Sequence, residues 1–140
     1  RLFGFDPKVA FVSHSTFGQP LTSRTKHIKN AVEILKEKNV DFEFDGDMQP
    51  DVALNEEYKS LYPFSKIVGN ANILVMPGQH SAAISYKMMK TLSDVKVIGP
   101  LLIGLGLPIE IAPLRSSTSE IINLASIAAY SADVIDYDKN

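Results

Sequence analysis

The chain contains no cysteine. Disulfide scaffolds, thiolate zinc sites, iron–sulfur clusters and cysteine nucleophiles are therefore excluded. The absence fits a reducing compartment, and a cytoplasmic location is expected. No apolar run approaches the roughly 20 residues that span a bilayer. No basic and apolar signal segment opens the chain. No membrane partner is expected. Charge of one sign is also lacking: 16 acidic and 14 basic residues leave a formal charge of −2. That balance gives no global pull toward nucleic acid. The three histidines, His14, His27 and His80, show neither i, i+4 pairing nor supporting carboxylate spacing, so no metal site is expected.

What is present suits a globular core. The chain has 140 residues, 45% apolar and 21% charged. That is one domain, or a large piece of one. It begins at Arg1 and enters structured-looking sequence within a few residues, as an excised or processed fragment would.

Strand and helix patterns alternate. Lys8–Val12 reads as a buried strand, and Ser13–Pro20 as a loop rich in turn formers. Ile28, Ala31, Val32 and Leu35 form the apolar stripe of a helix over Ser23–Lys38. Phe42 and Phe44 alternate with acids and suggest a second strand. Asp45–Asp51 reads as a polar turn-rich stretch, and Val52–Tyr58 as a short helix. Ile73–Met76 is a buried strand closed by Pro77-Gly78, followed by a helix from His80 or Ser81 to Leu92. Val95–Ile98 and Leu101–Ile103 are apolar and broken by Gly99-Pro100. Pro108–Ala112 is a further strand candidate. Thr118–Ala132 is a helix with apolar positions three and four apart, and Ser117-x-x-Glu120 before it is a capping box. Asp133–Asn140 reads as a polar tail. The alternation implies an α/β fold, a three-layer α/β/α arrangement with a mainly parallel sheet. Ligands bind such sheets beyond the carboxyl ends of strands. Here those ends are Ser13–Gly18, Pro77–Ser81 and Pro113–Ser117.

Ser13, Ser15, Thr16 and Gly18 offer hydroxyls and backbone N–H groups shortly before a helix, an arrangement suited to a phosphate-bearing ligand. An ordinary turn-forming loop is the competing reading. Gln79 belongs to the second strand end. Arg115, Ser116 and Ser117 precede the last helix and form an anion-site candidate, although the cap already accounts for Ser117 and Glu120. Arg24, Lys26, His27 and Lys29 cluster at one helix start. They are either a solvated face or an electrostatic lip for a phosphate. Gly104-Leu-Gly106 is no dinucleotide fingerprint, because Pro108 interrupts it and no helix clearly follows.

Several segments recur together in one family: KVAFVSHSTFG at Lys8–Gly18, FDGDMQPDVAL at Phe44–Leu54, the Tyr62–Phe64 segment, ANILVMPGQHSAAISYK at Ala71–Lys87 and IGPLLIGLGLP at Ile98–Pro108. The chain resembles the phosphate acetyltransferase superfamily, and within it the acetyltransferase-like C-terminal domain of large bacterial malic enzymes. The resemblance covers nearly the whole chain. It implies an α/β/α fold related to the isocitrate dehydrogenase-like architecture, and that residues 1–132 are the later portion of a larger two-lobed unit. It implies upstream malate-decarboxylating domains using NADP and Mg or Mn, a homo-oligomer, and acetyl-CoA as effector. Active members carry a Ser-Arg pair and an Asp; an ungapped alignment over Pro108–Asn123 puts Pro113, Leu114 and Glu120 there. Leu107 replaces the Lys before the proline, and Arg115 sits one residue late. Acyl transfer builds negative charge at the reacting centre, and losing a fixed guanidinium can cost about 3–4 kcal/mol of barrier. A non-catalytic, acyl-CoA-sensing domain is the expectation. An active phosphate acetyltransferase using Arg115 is the alternative.

Overall fold

A computed structural model describes residues 3–137. The chain divides into two compact units, the first ending at Tyr86 and the second beginning at Lys87. The first holds a three-stranded parallel sheet in the order β2-β1-β3. Its strands are β1 (Lys8–Val12), β2 (Glu43–Met48) and β3 (Ile73–Val75). β1 is central, and Val9, Ala10 and Val12 are buried. That is why it reads as an unbroken apolar run. The expected α/β class with a parallel sheet is what the structure has.

α1 (Ser23–Glu37) connects β1 to β2. Val32 is its buried apolar anchor, while Ile28 and Leu35 are half-buried. Its start is fixed by a reciprocal cap: Thr25 N–H donates to Thr22 Oγ1 at 3.3 Å, and Thr22 N–H donates to Thr25 Oγ1 at 2.8 Å. Asn39, at φ 48°, leaves the helix in the left-handed conformation that asparagine tolerates.

Two expectations need correction here. Asp45–Asp51 is not a loop: residues 45–48 belong to β2, and Pro50 and Asp51 open α2 (Pro50–Leu54). The acids can sit in a strand because each carboxylate finds partners. Asp45 accepts from the N–H of Gly46 at 2.9 Å and of Lys66 at 2.8 Å. The expected single helix over Val52–Tyr58 is two. Asn55 adopts an extended backbone, and its side chain accepts from Glu57 N–H at 2.9 Å, starting α3 (Glu56–Lys59). The core beneath them is Ala10, Val12, Met48, Val52, Ala53, Ile67 and Ala71, flanked by Phe17, Tyr62, Leu74 and Met76. Lys59 is also buried; its Nζ has no hydrogen-bond partner, and burial pushes its pKa down.

α4 (Gln79–Leu92) follows β3 and runs from the first unit into the second. The second unit otherwise holds irregular chain and α5 (Thr118–Tyr137). α5 extends past Ala132 and takes in the start of the expected tail; residues 138–140 lie outside the described residues. Pro108–Ala112 is not a strand. A strand needs a ladder partner, and the only sheet among the described residues has three members. Leu102, Ile103, Leu105, Leu107, Ile109 and Ile111 are all exposed.

Candidate functional site

The carboxyl ends of β1 and β3 lie beside each other because the two strands are parallel neighbours. Beyond them opens a cleft of about 530 Å³. Val12, Ile28, Pro50, Met76 and Pro77 give it apolar walls. Ser13, His14, Arg24, Gln79, His80 and Ser81 give it polar ones. Among the described residues that line it, none is acidic. A net-negative chain has thus placed one arginine and two histidines around a single opening. The first turn of α4 borders it as well; its N–H groups have no partners within the helix, and its dipole favours an anion. Ser81 Oγ donates back to Gly78 carbonyl at 2.8 Å and fixes that turn.

The loop after β1 is held from below. Asp47 is 2% exposed. Its carboxylate accepts from Ser15 Oγ and, at 3.0 Å, from Gly18 N–H. Thr16 Oγ1 accepts from Gln49 N–H at 3.2 Å, and Gln49 Nε2 donates to His14 carbonyl at 2.9 Å. Ser13 lines the cleft, with its Oγ 3.3 Å from Ser15 Oγ. Of the residues singled out in this loop, then, Ser13 faces the opening together with Gln79. Ser15, Thr16 and Gly18 are occupied in positioning the loop. Sequence reading left His14 and His80 as separate surface residues; three segments far apart in the chain bring them together with Arg24.

The remaining candidates belong to the second unit. Pro113, Ser116 and Glu120 border a cavity of about 20 Å³ with Ile98, Gly99 and Asn123, room for one water. Ser116 Oγ is buried there without a hydrogen-bond partner. Leu114 is fully exposed at 104%, and Arg115 is exposed. The capping box is present: Glu120 accepts from Ser117 N–H at 2.8 Å and Oγ at 3.0 Å, and Ser117 Oγ accepts from Glu120 N–H at 3.3 Å. The Lys90 ammonium hydrogen-bonded to Glu120, aided by Ser117, holds that carboxyl down to about 2.

A carboxyl lowered on folding adds stability that is present above its ordinary value and lost as pH falls through the folded one. Glu120→Gln should therefore melt below the parent at neutral pH. The gap should close between pH 4.5 and about 2. Thermal melts across that range test it; a gap unchanged at acid pH would assign the loss to something other than charge.

Comparison with known proteins adds an independent line. Residues 1–129 match the family described as phosphate acetyl/butaryl transferase. The chain is 49% identical over 132 residues to an NADP-dependent malic enzyme of Rhizobium meliloti, covering 94% of this chain and 17% of that protein. It is 36% identical over 133 residues to a phosphate acetyltransferase of Clostridium acetobutylicum, covering 40% of it. The crystal structure of a phosphotransacetylase from Streptococcus pyogenes superposes with a TM-score of 0.86 at 36% identity, over 94% of this chain and 40% of that one. The chain thus spans less than half the length of each.

Proposed function

The chain belongs to the phosphate acetyl/butaryl transferase family, and on that premise we propose that it is the non-catalytic, acyl-CoA-sensing C-terminal domain of a malic enzyme. In this reading the parent protein oxidatively decarboxylates malate to pyruvate in the cytoplasm. Acetyl-CoA, or a related acyl-CoA, binds the cleft beyond β1 and β3 and alters that activity. The domain also holds subunits together. NADP and Mg or Mn belong to the upstream domains. Among the described residues there is no group of three or more metal-ligating side chains to receive such an ion, and no helix long and apolar enough to cross a membrane.

One observation carries the proposal: an acid-free cleft with Arg24, His14 and His80 on its walls, in a chain whose Ser-Arg positions are Pro113 and the exposed Leu114. A cleft of that kind suits the pyrophosphate of an acyl-CoA. Pro113 cannot donate and Leu114 carries no charge, so the means to hold an anionic ligand are separated from the means to stabilise its reaction. The similarity to malic enzymes as well as to phosphate acetyltransferases supports the assignment.

Calorimetric titration of the intact protein with acetyl-CoA, run beside a thioester assay with acetyl phosphate and coenzyme A, tests both halves. The expected outcome is saturable heat and a shift in malate kinetics, with no thioester formed. Thioester production abolished by Arg115→Ala would replace this reading with that of an active phosphate acetyltransferase.

A further inference from the structure

We propose that His14 and His80 make anion binding in the cleft strengthen as pH falls through the histidine range, so that the domain reads acidity together with its ligand. This rests on the reading of the cleft as an acyl-CoA site and adds to it a mode of regulation.

The argument starts from which charges reach the opening. The loop after β1 brings His14, α1 brings Arg24, and α4 brings His80. α2 contributes Pro50; the acid beside it, Asp51, is exposed and not on the cleft wall. The strand ends contribute Val12 and Met76, which do not titrate. Arg24 is therefore the one permanent charge on the wall, and the two histidines are the variable ones. Histidine changes charge between pH 5 and 8, whereas arginine does not. No carboxylate on the wall competes for the imidazolium, so the bound anion is its partner.

The sign follows from linkage. An anion favours the protonated ring and raises its pKa in the complex. The added affinity is full below the free-state pKa and disappears as pH rises through the bound-state value. A rise of one unit at one histidine makes binding up to about tenfold tighter on the acid side.

The probe must keep its own charge constant. The 3′-phosphate of acetyl-CoA is a monoester that ionises near pH 6; acetyl-3′-dephospho-CoA lacks it and retains only the pyrophosphate. Calorimetric titration of the intact protein with this probe at about pH 6 and about pH 8 should show roughly tenfold tighter binding at the lower value. The His14→Gln/His80→Gln variant should bind equally at the two values, and each single variant should show a reduced response. Arg24→Gln should bind more weakly at both values yet keep its pH response. PH-independent binding by the parent, or a pH response surviving in the double variant, overturns this inference alone. No binding by the parent at either value overturns the acyl-CoA reading, and this inference with it.

Discussion

Gly46→Ala should destabilise the protein by about 3 kcal/mol, the upper end of what overpacking costs. Gly46 is the register partner of Phe11 across β1 and β2. A Cβ built on it would lie 2.7 Å from both Phe11 Cβ and Phe11 carbonyl oxygen, and 3.3 Å from Phe11 Cα. Two of those three atoms are backbone, and the third is bonded directly to it. No side-chain rotation relieves the overlap, so β2 must move away from the central strand. The backbone also sits at φ 155°, where side-chain-bearing residues are strained. A loss of this size should lower the melting midpoint by roughly 10 °C in a chain of this length. Gly106→Ala is the control. An added methyl there meets nothing within 4 Å, so the change should stay below about 1 kcal/mol. Equal melting of the two variants would sink the packing argument.

The same strand shows where sequence reading succeeds and where it stops. β1 is legible because a central parallel strand is buried on both faces and needs no polar alternation. α1 is legible through its stripe, although Thr22, its cap, looks like part of a loop until Thr25 answers it. The Ser117–Glu120 box is legible because it is local, and its hydrogen bonds follow the expected pattern. The continuation of β2 through Asp45 and Asp47 is not legible. Two acids around a glycine look like a turn, and the groups that satisfy them lie 21 and 29 residues away, at Lys66 and Gly18. Pro108–Ala112 fails for the opposite reason: its apolar pattern suits a strand, but a pattern cannot supply the partner that a ladder requires. The candidate site is legible by region only. The rule about strand ends selects Ser13–Gly18 and Pro77–Ser81 correctly as neighbours. It does not say which side chains face the opening. Arg24, placed on a helix face by spacing, and two histidines 66 positions apart become a cluster only through the β1–β3 pairing.

The pairing also explains the second large effect, at Asp47. Asp47→Ala should cost about 2–4 kcal/mol and weaken acetyl-CoA binding as well. The buried carboxylate accepts from Ser15 Oγ and Gly18 N–H. Ser15 has no exposure to solvent, so water cannot take the place of the lost acceptor. Leaving a buried donor unsatisfied costs about 1–3 kcal/mol, and here two donors lose their partner. The 2.6 Å bond from Phe17 N–H to Asp47 carbonyl survives, because it is backbone. The loop should therefore loosen around Ser13–Ser15, which carries His14 on the cleft wall. Asp47→Asn should be milder, about 1 kcal/mol. Its oxygen can still accept from Gly18 while its amide donates to Ser15 Oγ, whose proton can turn toward Ser13 at 3.3 Å. Ser15→Ala should make the loss at Asp47 smaller, since one stranded donor is then gone, and the two substitutions should be less than additive. Denaturant unfolding of the four chains measures that coupling. Full additivity would mean that Ser15 and Asp47 do not share the bond; an unchanged acetyl-CoA affinity in Asp47→Ala would mean that the loop's anchoring does not shape the cleft.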